Sequence, residues 1–233
     1  MKHAETNHWS NGDIEKFSVQ GFFYKTDALV FRKYLEIRRI GVDSTENDLN
    51  VIMMNPGSSK PRNMIYKKGC FADFADFADF DKLVDAEPDS TIVQIMRVME
   101  NCGLDYAKIV NLSNIRARSL EVFLEMLKNV LRRIDHSVFT EEGKPFLKDY
   151  LNPKAVFIFA WGVDRGLQGL AKQAIEILNS LWGKTIEAIG IKHSKNKYGY
   201  YHPLPWLEAK RIEWVNKITE QIMSQKAGPK VAK

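Results

Sequence analysis

Four short polar stretches of this 233-residue chain carry side chains that can do chemistry. They are Asn55-Pro56-Gly57-Ser58, Asn111-Leu112-Ser113-Asn114, Trp161-Gly162 and His202-Pro203-Leu204-Pro205-Trp206. A carboxamide offers both donor and acceptor, so Asn55, Asn111 and Asn114 can orient a water or read the edge of a ring. A histidine such as His202 can donate a hydrogen bond to a developing anion or move a proton. Pro56 restricts Asn55 to extended backbone, and Gly57 lets another molecule approach the main chain closely. Plainer readings stand beside these. The Asn55 stretch could be a simple strand-to-loop turn, Asn111 could cap the turn after it, and His202 could be an ordinary loop histidine.

Each stretch follows a run that reads as a strand. Leu49–Met54, Tyr106–Asn111 and Ala155–Ala160 are short apolar runs bounded by turn residues, the mark of inner strands buried on both faces. Ile186–Ile191 precedes the loop Lys192–Trp206, and two earlier runs, Phe22–Tyr24 and Phe31–Ile40, are also strand-like. Helices are expected between them. One covers Ile92–Asn101, capped by Asp89-Ser90-Thr91 and ended by Gly103. Others run from Ser119 to about Ile134, Thr140 to Tyr150, about Arg165 to Leu181 and about Leu207 to Met223. Strands alternating with helices imply an α/β fold: three layers, α/β/α, around a mainly parallel central sheet. All four polar stretches would then lie at the carboxyl edge, where such sheets bind ligands.

Length suits one domain, expected over residues 18–224, with a loose arm at 1–17 and a basic tail at 225–233. Lys and Arg number 34 against 29 acids, a net charge of +5 and a modest bias toward polyanions. No leader and no membrane-spanning run is expected. Cys70 and Cys102 are the two cysteines, which argues for a reducing, cytoplasmic setting and is too few for an iron–sulfur cluster. Residues 60–87 form a long irregular stretch whose first half is basic, with Lys60, Arg62, Lys67 and Lys68 interleaved with Tyr66 and Phe71. A tandem Phe-Ala-Asp repeat follows over residues 71–80, either a local duplication with its phenylalanines in the core or a loop laid over a site.

Asn-Pro-Gly-x-Ser at one strand end, an apolar strand ending Trp-Gly, and His-Pro-x-Pro near the C-terminus together resemble the uracil-DNA glycosylase superfamily. The mismatch-specific and thymine-DNA enzymes carry Asn-Pro-Gly in their first motif, and the classical uracil enzymes carry the His-Pro-x-Pro motif. Gly69-Cys70-Phe71 is similar to the segment that supplies their base-stacking phenylalanine. The resemblance implies a uracil-DNA glycosylase-like fold and a monofunctional, metal-free and cofactor-free DNA glycosylase, acting as a monomer on a flipped-out modified or damaged pyrimidine. A modified base of phage DNA is one niche it suggests.

It also implies roles. Asn55 would position the attacking water and His202 would donate to the leaving base. Pro56, Gly57 and Ser58 would shape the turn, Asn111 and Asn114 would read the base edge, and Phe71 or Tyr66 would stack on it. Leu204 or Trp206 would fill the vacated place in the duplex. Lys60, Arg62, Lys67, Lys68, Lys192, Lys195 and Lys197 would meet phosphates. Where the classical uracil enzymes have an aspartate, this chain has Asn55, an amide that can orient water without taking its proton. Two competing readings remain: a nucleic-acid-binding module without catalysis, and a hydrolase or transferase of free nucleotides.

Overall fold

The structure, a computed structural model, describes residues 14–26, 29–62, 83–129 and 135–227. Strands β1 (Phe17–Thr26) and β2 (Leu29–Arg39) are separated by only two positions, too few for the crossover that a parallel pair needs. They therefore pair antiparallel, from Phe17 opposite Arg39 to Thr26 opposite Leu29. The ladder is interrupted once. Tyr34 sits opposite Phe22 but Arg32 sits opposite Phe23, so Lys33 is an extra residue on β2.

The remaining strands are β3 (Leu49–Met53), β4 (Lys60–Pro61), β5 (Val84–Glu87), β6 (Tyr106–Asn111), β7 (Val156–Ala160) and β8 (Ala188–Ile189). All eight form one sheet in the order β4-β5-β1-β2-β6-β3-β7-β8. The pairs β3/β6, β3/β7 and β7/β8 are parallel, while β1/β2, β1/β5, β2/β6 and β4/β5 are antiparallel. The α/β class holds, but the expected mainly parallel sheet is a mixed one. Its parallel half is the part that aligns the polar strand ends.

Helices α1 (Ser90–Cys102), α2 (Leu120–Asn129), α3 (Lys144–Tyr150), α4 (Gln168–Leu181) and α5 (Glu208–Lys226) cover the sheet. Alternation along β3 shows how. Val51 packs with Ile95, Met99, Ile218 and Ile222 of α1 and α5, whereas Ile52 packs with Leu147 of α3 and with Ala174 and Leu178 of α4. A strand buried on both faces must be apolar throughout, and every residue of β3 is buried. The lone polar member, Asn50, is fully satisfied: its oxygen accepts from Asn47 Nδ2 at 2.8 Å and its nitrogen donates to Asn152 O at 2.7 Å.

Two elements are shorter than expected. Helix α3 begins only at Lys144, because Pro145 suits a first turn that needs no donor and Thr140 instead accepts from Gly143 N–H in the preceding turn. Strand β8 keeps two residues, since the Gly190 N–H turns away to Gln221 Oε1 on α5 at 3.0 Å.

Candidate functional site at the carboxyl ends of the parallel strands

The turn after β3 is built around a capping carboxylate. Asp89 caps α1, with Oδ1 accepting from Thr91 N at 3.0 Å and Ile92 N at 3.1 Å. Its other oxygen accepts from Ser58 N at 3.2 Å and Ser59 N at 3.3 Å, tying the Asn55–Ser59 turn to that helix start. Gly57 makes this possible: its φ is +63°, and a Cβ there would lie 2.6 Å from Asp89 Oδ2. Asp89-Ser90-Thr91 reads as a cap from sequence alone, but its second partnership with residues thirty positions upstream carries no local signal.

Asn55 is buried, and its amide nitrogen is engaged by two main-chain carbonyls, Ala117 O at 2.8 Å and Ile115 O at 3.4 Å. Those acceptors fix which way the amide faces. Its oxygen accepts no hydrogen bond from the described residues and is left for a ligand.

His202 arrives from the far end of the chain, carried by a loop strapped to the end of β7. Trp161 is fully buried and donates from its indole N–H to Tyr198 O at 2.7 Å. Gly162 and Tyr200 exchange main-chain hydrogen bonds of 2.7 and 3.2 Å, and Trp214 of α5 donates to Tyr201 O at 3.0 Å. The imidazole Nδ1 accepts from Leu204 N–H at 3.2 Å, so in the neutral ring Nε2 carries the proton and is the donor. Burial pushes the His202 pKa down to about 4, against a smaller opposing pull from the Asp89 carboxylate, so the ring is neutral at physiological pH.

These parts line one cavity of about 390 Å³, within the range of about 300–1,000 Å³ usual for small-molecule sites. Asn55, Pro56, Gly57, Ser58, His202 and Leu204 face it, as do Asp89, Trp161, Gly162 and Asp164. Asp164 uses Oδ1 to accept from Gly166 N–H at 2.7 Å, and its second oxygen accepts nothing from the described residues. It sits two residues beyond the Trp161-Gly162 strand end, a position that sequence reading passed over. Among the described residues, no group of three His, Cys, Asp or Glu side chains could hold a metal ion.

Asn111 and Asn114 do not join Asn55 and His202 in this cavity. Asn111 is fully buried at the end of β6, with neither amide atom hydrogen-bonded, so it caps no turn either. It lies on the α1 side of the sheet, beside Met53 in register. Asn114 serves the scaffold: its N–H donates to His136 O at 2.6 Å and its Nδ2 to the Tyr24 hydroxyl at 3.3 Å.

The basic residues divide. Lys60 is ion-paired with Glu87 at 3.1 Å, whereas Arg62 and, on the loop before His202, Lys192, Lys195 and Lys197 are exposed. Tyr66, Lys67, Lys68 and Phe71 lie outside the described residues, as does the Phe-Ala-Asp repeat. Trp206 has 93% of its surface exposed, while Leu204, two positions before it, is partly buried and faces the cavity.

The fold and site define an α/β protein with a mixed sheet and a polar cleft at the carboxyl ends of its parallel strands. Residues 82–204, more than half of the chain, match the family described as "Protein of unknown function (DUF1643)", and the chain belongs to that family. The matched segment runs from before Asp89 to Leu204, so it holds His202 and Asp164 but not Asn55. No curated protein and no solved structure matches the chain. Among the described residues, no helix is long and apolar enough to cross a membrane.

Proposed function

We propose that the protein is a DNA glycosylase that hydrolyses the N-glycosidic bond of a flipped-out modified or damaged pyrimidine and leaves an abasic site. One observation carries the reading. Asn55 and His202, distant in sequence, face a single cavity with complementary groups unspent: an amide oxygen that can accept from water and an imidazole N–H that can donate to an anion.

Cleavage breaks the bond from the sugar's anomeric carbon to the base nitrogen, and the electron pair leaves with the base. The Nε2–H of neutral His202 meets the charge that develops there, a preorganised donor of the kind that stabilises departing anions. Water held on Asn55 Oδ1 forms the new bond to the anomeric carbon. Its proton needs a base, and Asn55 is not one. Of the two carboxylates facing the cavity, Asp89 has both oxygens occupied by four main-chain N–H groups. Asp164, with an uncommitted oxygen, takes that part. No lysine lines the cavity among the described residues, which supports hydrolysis over Schiff-base chemistry and hence a monofunctional enzyme.

Double-stranded DNA as partner is supported by the exposed Trp206, two positions after the cavity-lining Leu204, and by exposed Lys192, Lys195 and Lys197 on the loop before His202. The test is single-turnover incubation with oligonucleotides carrying a panel of modified and damaged pyrimidines, followed by detection of abasic sites. At least one substrate should be cleaved, and Asn55→Ala and His202→Ala should each slow it by about 10²-fold. Failure to cleave any base in single- or double-stranded DNA removes the enzymatic reading.

A further inference from the structure

The α1 face of the sheet holds a concentration of buried polar atoms without partners. Arg32 is fully buried, and none of its three guanidinium nitrogens is hydrogen-bonded. Asn111 is equally buried and its amide is wholly unpaired; Ser59 Oγ and Arg116 Nε are likewise unpaired. The contrast within one sheet is informative. At the opposite end of β3, buried Asn50 has both amide groups satisfied. Native interiors leave few such groups, and a buried unpaired charge is the costliest kind.

Topology brings these residues together. The extra residue Lys33 places Arg32 opposite Phe23, so its side chain shares the face of Phe23, which packs in the core with Ile109 and Met53. Asn111 follows Ile109 by two residues and lies beside Met53, on that same face. The Arg32 N–H donates to Asn114 O at 2.8 Å, anchoring β2 against the end of β6. Arg116 reaches back to Ser58 O at 3.0 Å, which joins the group to the Asn55–Ser59 turn.

Among the described residues, no side chain accepts a hydrogen bond from the guanidinium. The adjacent carboxylate, Asp89, has both oxygens committed to the N–H groups of Ser58, Ser59, Thr91 and Ile92. Burial lowers the Arg32 pKa to about 10, with Asp89 opposing and Arg116 adding to the fall. That value still leaves it charged at neutral pH. A guanidinium has donors only, in a planar fork suited to two oxygens, and Asn111 Nδ2 is a further unpaired donor on the same face.

We infer that Arg32 and Asn111 form a buried oxyanion-binding site, taking a carboxylate or a phosphate group of a ligand. The site goes beyond the glycosylase reading, because oxyanion binding needs no turnover. If excision is found to be absent, binding is still expected.

Thermal melting and titration calorimetry with inorganic phosphate and with orotate, a pyrimidine carboxylate, test it. Wild type should show a melting temperature that rises and saturates with at least one of them. Saturation by phosphate that duplex DNA competes away assigns the oxyanion to a nucleic-acid phosphate. Saturation by orotate alone assigns it to a carboxylate borne on a base. Arg32→Met should weaken binding by at least about 10-fold, yet melt no lower than wild type without ligand, because an unpaired charge has been replaced by an apolar chain of similar length. Asn111→Asp supplies the oxyanion internally, so it should melt higher than wild type and lose binding. Three outcomes overturn the inference: no saturating response to either probe, binding unchanged in Arg32→Met, or both variants melting well below ligand-free wild type. The last would make Arg32 and Asn111 structural partners.

Discussion

The amide nitrogen of Asn55 donates to the carbonyl oxygen of Ala117 at 2.8 Å, with Ile115 O a longer second acceptor at 3.4 Å. Two carbonyl oxygens facing one side chain demand a donor, and an ionised carboxylate has none. Asn55 is thus built into its surroundings as an amide. Asn55→Asp should destabilise the fold by about 1–3 kcal/mol, the cost of leaving buried acceptors unpaired. It should not accelerate excision despite adding a base. Urea unfolding and single-turnover excision on one preparation check both. A variant that is as stable as wild type and faster would show that the site prefers a carboxylate.

His202 sets a second expectation. Its pKa is held at about 4 in the folded chain and returns to about 6.5 on unfolding, so added protons favour the unfolded state. The stability that neutral His202 contributes is fully present above about pH 6.5 and is lost as pH falls toward 4. Comparing urea midpoints of wild type and His202→Gln between pH 7 and 4.5 should show the gap narrowing, then reversing, as pH drops. Excision should persist to about pH 5, since the donor there is still the neutral ring. A constant gap across that window would place His202 in water.

Much of this arrangement is readable from sequence, for physical reasons that differ by residue. Leu49–Met53, Tyr106–Asn111 and Val156–Ala160 stand out because strands buried on both faces must be apolar along their length. Their direction leaves no such trace, except that two positions between β1 and β2 leave no room for a crossover. Asn55 and His202 are legible as a pair because Pro56 and Gly57 mark one turn and Pro203 and Pro205 the other. Arg32 is not. Alternation through Leu35 and Ile37 predicts an arginine pointing outward at that distance, and only the extra residue Lys33 turns it inward. The double use of Asp89 is also hidden, since a cap motif says nothing about a turn thirty residues away.

That double use gives a third expectation. Gly57→Ala combines a positive φ of 63° with a Cβ 2.6 Å from the Asp89 carboxylate, so turn and carboxylate must separate. The cost should be about 1–3 kcal/mol, from backbone strain and weakened bonds to Ser58 and Ser59. Asp89→Ala loses the cap and the turn tether together and should cost at least as much. The double variant should be less destabilised than the sum of the two, because the clash partner is gone. Additive losses would mean that Gly57 and Asp89 act separately.

Trp206 supplies the expectation that separates duplex DNA from other substrates. With 93% of its surface exposed, its side chain contributes almost nothing to the core, while its backbone is held by Arg211, which donates to Pro205 O at 2.8 Å and Trp206 O at 3.1 Å. Trp206→Ala should therefore melt like wild type. Extruding a base from a duplex costs a few kcal/mol, and an apolar side chain that occupies the gap offsets part of it. Excision from double-stranded substrate should accordingly fall by about 10-fold or more, whereas excision of the same base from a single strand, which needs no wedge, should hardly change. Leu204, facing the cavity and not solvent, should show the reverse when truncated to alanine: a similar loss on both substrates. Equal sensitivity of both substrates to Trp206→Ala would make it a base-stacking platform, not a wedge. No effect on either would take Trp206 out of the DNA interface.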